Sequence, residues 1–274
     1  MSTFQKATKK KRKLRMAIFG ASGSGKTYSA LRLATGFGGS IAFIDTERSA
    51  ELYADKFDFD IAPLDEPTID NLIAYINEAK NYKVLIIDSF SHSWRELLED
   101  INKIAKTKYS GNSWSAWSDG TPKQNHLIQT ILTFPGHLIV CMRSKTEWVI
   151  QKDEKTGKNK PERVGLAPEQ GKGIEYEFDM LLEMSTDHIA NVIKDRTGKY
   201  QDKLIELPDE KLGRDLIDWL NTGEEAPKTL ISKIQFDEAL KRIADGEDIL
   251  DMLLDAFELT ETQLKQLEGV KNNA

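Results

Sequence analysis

The chain has 274 residues, 38 of them Lys or Arg and 44 Asp or Glu, for a net charge of −6. With 39% hydrophobic residues, this is the composition of an ordinary globular protein. No apolar run approaches the ~18 residues that cross a bilayer, and the single cysteine excludes an internal disulfide, so the sequence points to the cytoplasm and to no membrane partner.

The charge is unevenly spread. Residues 1–15 carry Lys6, Lys9, Lys10, Lys11, Arg12, Lys13 and Arg15 and no acid, whereas residues 224–274 carry twelve acids against six bases. Such polarity suggests a nucleic-acid contact at one end and a solvated or partner-facing segment at the other. Residues 1–13 read as a basic arm. Leu14–Phe19 reads as a short buried strand, followed by a glycine-rich turn and a helix over 26–36. Further apolar β-type runs at Ile41–Ile44, Val84–Ile87, Leu138–Met142 and Met180–Met184 alternate with helical stretches near 68–80, 91–106 and 122–134, which is the α/β signature. Cys141 falls inside the fourth of these five runs as a core residue. Ile189–Ile193 continues as a hairpin at the sheet edge, and Asp215–Leu220 is a short closing helix. The predicted core thus spans 14–222, a linker covers 223–227, and 228–274 forms an acidic tail of two or three helices without visible internal repeat. Two irregular stretches, 107–121 and 145–175, are long for loops in a compact domain, which marks them as functional or disordered.

The chemistry concentrates after the first strand. Gly20-Ala21-Ser22-Gly23-Ser24-Gly25-Lys26-Thr27 fits the phosphate-binding pattern G-x-x-x-x-G-K-[ST] at every fixed position, and Tyr28 borders it. Glycines there let backbone N–H groups converge on phosphate oxygens, and the helix start adds partial positive charge. Lys26 is placed to reach the β- and γ-phosphates, and the Thr27 hydroxyl to hold Mg²⁺. ATP with Mg²⁺ is the ligand this implies. Val84-Leu85-Ile86-Ile87-Asp88 is an apolar strand ending in an acid, and in a P-loop fold that carboxylate holds Mg²⁺ through water. Ile41–Ile44 ends likewise, in Asp45-Thr46-Glu47. Parallel strands deliver their C-terminal ends to one rim of the sheet, beside the phosphates. Glu47 is the candidate that orients or deprotonates the attacking water, with Asp45 a structural cap; the blander alternative makes both acids caps.

In their order, the glycine loop, Ala42–Glu47, Leu85–Ser89 and Leu138–Arg143 resemble the RecA/RadA class of P-loop ATPases. The resemblance implies a RecA-like core: a mainly parallel twisted sheet flanked by helices, with the fourth strand between the glycine-loop strand and the Asp88 strand. It implies that Glu47 polarises the water and that a γ-phosphate sensor sits at the tip of the fourth strand. The class uses an amide there; this chain offers Arg143, a departure. Val192–Arg196 is similar to the Lys-x-Arg element of RadA- and DnaB-like assemblies. Lys194 and Arg196 are then implied to reach a neighbouring subunit's site as a cationic finger, in a homo-oligomer, ring or filament, with ATP at the subunit interface. The alternative is a charged hairpin end. Val164–Pro168 and Gly173–Asp179 resemble small phage-encoded RecA-core ATPases involved in recombination, which implies single-stranded DNA as partner, and the host cytoplasm.

In the RecA class, two loops after the third and fourth strands hold DNA, and the two irregular stretches lie in corresponding places. The first carries Tyr109, Trp114 and Trp117. Bases stacked on exposed indoles gain ~1–3 kcal/mol each; the alternative folds both indoles back onto the core. The second carries Lys145, Lys152, Lys155, Lys158, Lys160, Arg163 and Lys172, with a hairpin tip at Lys155–Lys158. Phosphates neutralised there would make affinity fall with salt. No base-reading motif is present, so binding is expected to tolerate any sequence. The leading expectation is a DNA-stimulated ATPase acting in recombination or annealing. The alternatives are an annealing protein that uses ATP as an assembly switch with little turnover, a P-loop small-molecule kinase, and a helicase-type motor.

Overall fold

The computed structural model describes residues 4, 6–152, 159–224, 229–244, 246, 249–250, 253–254 and 257–271, with the main chain alone for 147–152, 159–164, 229, 268, 270 and 271. Two compact units are present, Lys13–Asn221 and the pair Met1–Arg12 with Thr222–Ala274.

The larger unit is built on a nine-stranded sheet. Its first strands are the short apolar runs: β1 (Arg15–Gly20), β2 (Ile41–Asp45) and β4 (Val84–Asp88), all buried along their length. Runs without polar alternation need cover on both faces, and helices supply it. Phe19, Ile44, Ile87, Val140 and Met142 pack in one core with α2 (Ile69–Glu78), α3 (Phe90–Lys108) and α4 (Ser113–Thr133). Ile18, Phe43, Ile86, Ile139 and Cys141 pack in the other with α1 (Lys26–Phe37) and α5 (Glu210–Asn221). Cys141 is a core residue, as its surroundings in the sequence suggest, and burial pushes its thiol up.

The strand order is β3-β2-β4-β5-β1-β7-β8-β9, where β3 is Asp60–Pro63, β5 His137–Lys152, β7 Met180–Met184, β8 Ile189–Asp195 and β9 Leu204–Glu206. All pairs from β3 to β7 are parallel, and β8 and β9 close the edge antiparallel. The expected placement of the fourth apolar strand between the glycine-loop strand and the Asp88 strand is borne out: β5 separates β4 from β1.

Several expectations need correction. The stretch 107–121 is mostly helix, because α4 begins at Ser113 instead of near 122. Asn112 caps it by accepting the Ser115 N–H at 3.1 Å, and Gly120, which reads as a loop marker, is the place where Ile101 of α3 closes on α4. Trp114 and Trp117 therefore stand on a helix. Trp117 packs on the core against Trp94, ring centroids 5.8 Å apart, while Trp114 is 86% exposed. The second stretch is largely a hairpin: β5 runs on to Lys152 and pairs antiparallel with β6 (Asn159–Pro168), from Ser144↔Pro168 to Lys152↔Asn159. Lys152, Lys160 and Arg163 lie on its strands; Lys155 and Lys158 fall outside the described residues.

In the smaller unit, Lys11 N–H bonds the Glu224 carbonyl and Glu224 N–H the Lys9 carbonyl, each at 2.8 Å, so part of the basic arm is paired main chain. An internal repeat that the sequence did not disclose is also present. β10 (Thr229–Leu230) leads into α6 (Lys233–Ala244), and β11 (Phe257–Glu258) into α7 (Glu261–Lys271). The strands pair in parallel, and each helix opens with the same box: Ser232 with Gln235, Thr260 with Gln263. Among the described residues, no helix is long and apolar enough to cross a membrane.

Candidate nucleotide site

Parallel register brings the functional strand ends level. Asp45 lies opposite Asp88, Asp88 opposite Cys141, and Gly20 opposite Arg143. The loop after β1 needs glycine twice over. Gly25, at φ 84°, precedes α1 in a left-handed conformation, and a Cβ on Gly20 would come within 2.5 Å of the Met184 carbonyl oxygen. The loop borders a cleft of about 760 Å³ lined also by Lys26, Thr27, Tyr28, Glu47 and Arg143. Of the expected nucleotide-binding residues, Gly20, Ser22, Gly23, Gly25, Lys26, Thr27 and Tyr28 line this cleft. Ser24 is fully buried beneath it, its hydroxyl without a partner. Lys26 lies over its own loop, Nζ donating to the carbonyls of Gly20 (3.2 Å) and Ala21 (2.9 Å). Tyr28 meets Tyr53 and Phe57 at 5.6 and 5.3 Å between ring centroids, an aromatic border to the cleft.

Thr27 Oγ1 donates to Asp88 Oδ2 at 2.5 Å, joining the two residues expected at the metal. Asp88 is 2% exposed and its other oxygen, Oδ1, has no hydrogen-bond partner. Burial pushes this carboxyl up to about 6; the Thr27 bond opposes the rise, and the charge of Glu47 adds to it. A buried carboxylate with an orphaned oxygen beside a threonine hydroxyl is a donor set that fits Mg²⁺. Asp45 accepts four backbone N–H groups, from Glu47, Arg48, Ser49 and Ala50, and so folds the segment that presents Glu47.

Glu47 and Arg143 are brought together. Arg143 Nε and Nη2 donate to Glu47 Oε1 at 3.1 and 2.9 Å. His92 Nε2 lies 3.9 Å from the same oxygen, and its Nδ1 is 2.7 Å from Thr46 Oγ1, which accepts the Ser89 N–H. Burial first, then Arg143, hold the His92 imidazole below its ordinary value, and the charge of Glu47 opposes them. Lys194 and Arg196 are elsewhere. Asp195 is opposite Met180 and Met180 opposite Met16, so the Lys-x-Arg element stands at the rim away from the glycine loop. Lys194 Nζ donates to the carbonyls of Glu175 and Tyr176, and Arg196 pairs with Asp179 and the Tyr176 carbonyl. Neither belongs to the cleft of its own chain.

His92, Arg95, Glu169 and His188 are among the lining or flanking residues that the sequence pattern did not mark. His188 lines the cleft with Nδ1 3.2 Å from the Ser24 carbonyl, and Arg95 is paired to Glu169. No motif flags them; only the hairpin turn after Met184 hints at His188.

A family model described as AAA domain (AAA_24) matches residues 12–204. The chain belongs to the AAA domain family. Comparison with curated proteins gives no match. Among solved structures, the RadB recombinase is similar at a TM-score of 0.42 and 16% identity over 72% of this chain and 89% of that one. A prototypical ATPase from the type III secretion system of pathogenic bacteria is similar at a TM-score of 0.40 and 13% identity over 94% and 81%. As an AAA-domain protein whose glycine loop joins β1 to α1, the chain is a P-loop ATPase. The family implies a nucleotide and, as a rule, Mg²⁺ at the cleft described above.

Proposed function

We propose that this ATPase acts on single-stranded DNA in annealing or recombination, and that DNA stimulates its hydrolysis. One observation carries the reading. Strand β5 holds Arg143 at the cleft and continues unbroken as one arm of the outer hairpin, so the nucleotide's surroundings and the hairpin share one strand. In this reading, the loop amides bind the phosphates, and Lys26 leaves the Gly20 and Ala21 carbonyls for them. Thr27 and Asp88 would hold Mg²⁺, which would neutralise charge on the phosphates. Glu47 aligns the water once Arg143 has turned from it to the nucleotide. Lys194 and Arg196, at the opposite rim, serve a neighbouring protomer's site in a homo-oligomer. Trp114 and the basic hairpin strands take the DNA; the partner, single-stranded DNA, is the one implied by the phage-encoded recombination ATPases that the sequence resembles.

Steady-state ATPase assays with and without single-stranded DNA test this. We expect DNA to raise the rate, and Glu47→Gln to lower it about 10²–10³-fold with ATP affinity retained. A rate indifferent to DNA would overturn the DNA-stimulated reading. A second reading, ATP as an assembly switch with little turnover, is favoured by the Arg143–Glu47 bond, which neutralises the base. Annealing that survives in Glu47→Gln would select it.

A further inference from the structure

Arg95, on α3, lines the same cleft as the glycine loop and Arg143. Its guanidinium makes two parallel bonds to Glu169, Nε to Oε1 at 2.9 Å and Nη2 to Oε2 at 2.6 Å. Glu169 lines the cleft as well. An arginine and its carboxylate therefore face the space that a phosphate chain would enter. His92, whose Nε2 lies 3.9 Å from Glu47 Oε1, and Arg95 stand three residues apart on α3, and the charges of both arginine–carboxylate pairs act on the His92 ring.

The pairs differ in what their carboxylates are needed for. Glu47 is the candidate base, so the cation bound to it is committed to the hydrolytic step. Glu169 has no such duty. It follows β6 at the root of the hairpin, where its N–H bonds the Arg143 carbonyl at 2.7 Å. The Arg95 side chain is 45% exposed and that of Glu169 23%, the kind of ion pair that water loosens readily. The next residue, Gln170, is buried and donates to the Phe90 carbonyl at 3.3 Å, so the main chain here stays anchored if the Glu169 side chain swings away.

We propose that Arg95 is a γ-phosphate-binding residue held in reserve by Glu169. A guanidinium fork matches a phosphate as it matches a carboxylate, and the end of a triphosphate carries more negative charge than a single carboxylate. Arrival of a nucleoside triphosphate exchanges Glu169 for phosphate oxygens; a diphosphate is too short and leaves the pair closed. Arg95 thus reads phosphate-chain length. The inference rests on the nucleotide-site reading above.

Calorimetric titration of the full-length chain with a non-hydrolysable ATP analogue and with ADP, each with Mg²⁺, tests it. Arg95→Gln should weaken the analogue about tenfold and ADP less than about twofold. Glu169→Gln, which removes the competitor, should tighten the analogue several-fold and leave ADP unchanged. Equal effects on both nucleotides, or none, overturn the proposal. Lys26→Ala separates the two readings. If it binds both nucleotides as wild type does, the glycine-loop site itself fails. If it loses both while the Arg95 and Glu169 variants keep the wild-type ATP-to-ADP ratio, only the role of Arg95 falls.

Discussion

His137 starts β5 with 8% of its surface exposed, and its Nδ1 accepts the Leu14 N–H at 3.0 Å. Burial first, then the cations Lys13, Arg15 and Lys83, hold the imidazole down at about 3, against an ordinary 6.5. Below pH 6.5 the unfolded chain takes up a proton that the folded chain refuses until about pH 3, so stability is complete above this window and is lost as pH falls through it. About 2 kcal/mol should disappear between pH 7 and pH 5 on this account. Urea unfolding at the two pH values measures it. His137→Gln, which can still accept from Leu14, should lose less than half as much; an undiminished loss would rule the imidazole out. At this scale the sequence disclosed what lies in one contiguous motif, the glycine loop, and what ends an apolar strand, Asp45 and Asp88. Pairings between distant residues were closed to it. Glu47 with Arg143, and Arg95 with Glu169, meet only because β5 lies where it does and the hairpin returns to α3.

The α4 helix separates two tryptophans that look equivalent in the sequence. Trp117 is wedged against Trp94, whereas Trp114, three residues earlier, projects into solvent. Trp117→Ala should therefore cost about 2 kcal/mol of stability, part of the penalty for a fully buried indole. Trp114→Ala should change stability by less than about 0.5 kcal/mol while weakening single-stranded DNA binding. Chemical denaturation and fluorescence anisotropy distinguish the two, and unaltered DNA affinity in Trp114→Ala would remove this helix from the DNA surface. Strands buried on both faces were legible because nothing in them alternates. β3 and β9 were not, being short and half-exposed, with too few apolar residues to form a run. The start of α4 was hidden by Ser, Gly and Asn, residues that favour turns unless a cap and a close helix crossing employ them, as Asn112 and Gly120 do here.

Across the molecule, the Lys-x-Arg element and the glycine loop occupy opposite rims of one sheet. If the element completes a neighbour's site, two defective chains should repair one another. Lys26→Ala and Arg196→Ala are each expected to be inactive alone. Mixed in equal amounts, they should regain about a quarter of the wild-type rate, the share of head-to-tail interfaces that join an intact loop to an intact finger. A mixture as dead as its parts would sink the trans arrangement. The alternation of strands and helices told the fold class at this scale, and the spacing of its motifs told the strand order through resemblance. The ladder between residues 9–11 and 224 has no counterpart in local pattern, since it unites segments that precede and follow residues 13–221 in the sequence.

That ladder has a consequence for synthesis. A nascent chain presents Lys9 and Lys11 before the core, but their mate Glu224 emerges only after all of Lys13–Asn221 has left the ribosome. At ~5–20 residues per second, the first segment waits roughly ten to forty seconds, solvated and cationic beside ribosomal RNA. The ATPase core can mature during that interval, so the ladder, although one of its segments is made before the core, closes only after it.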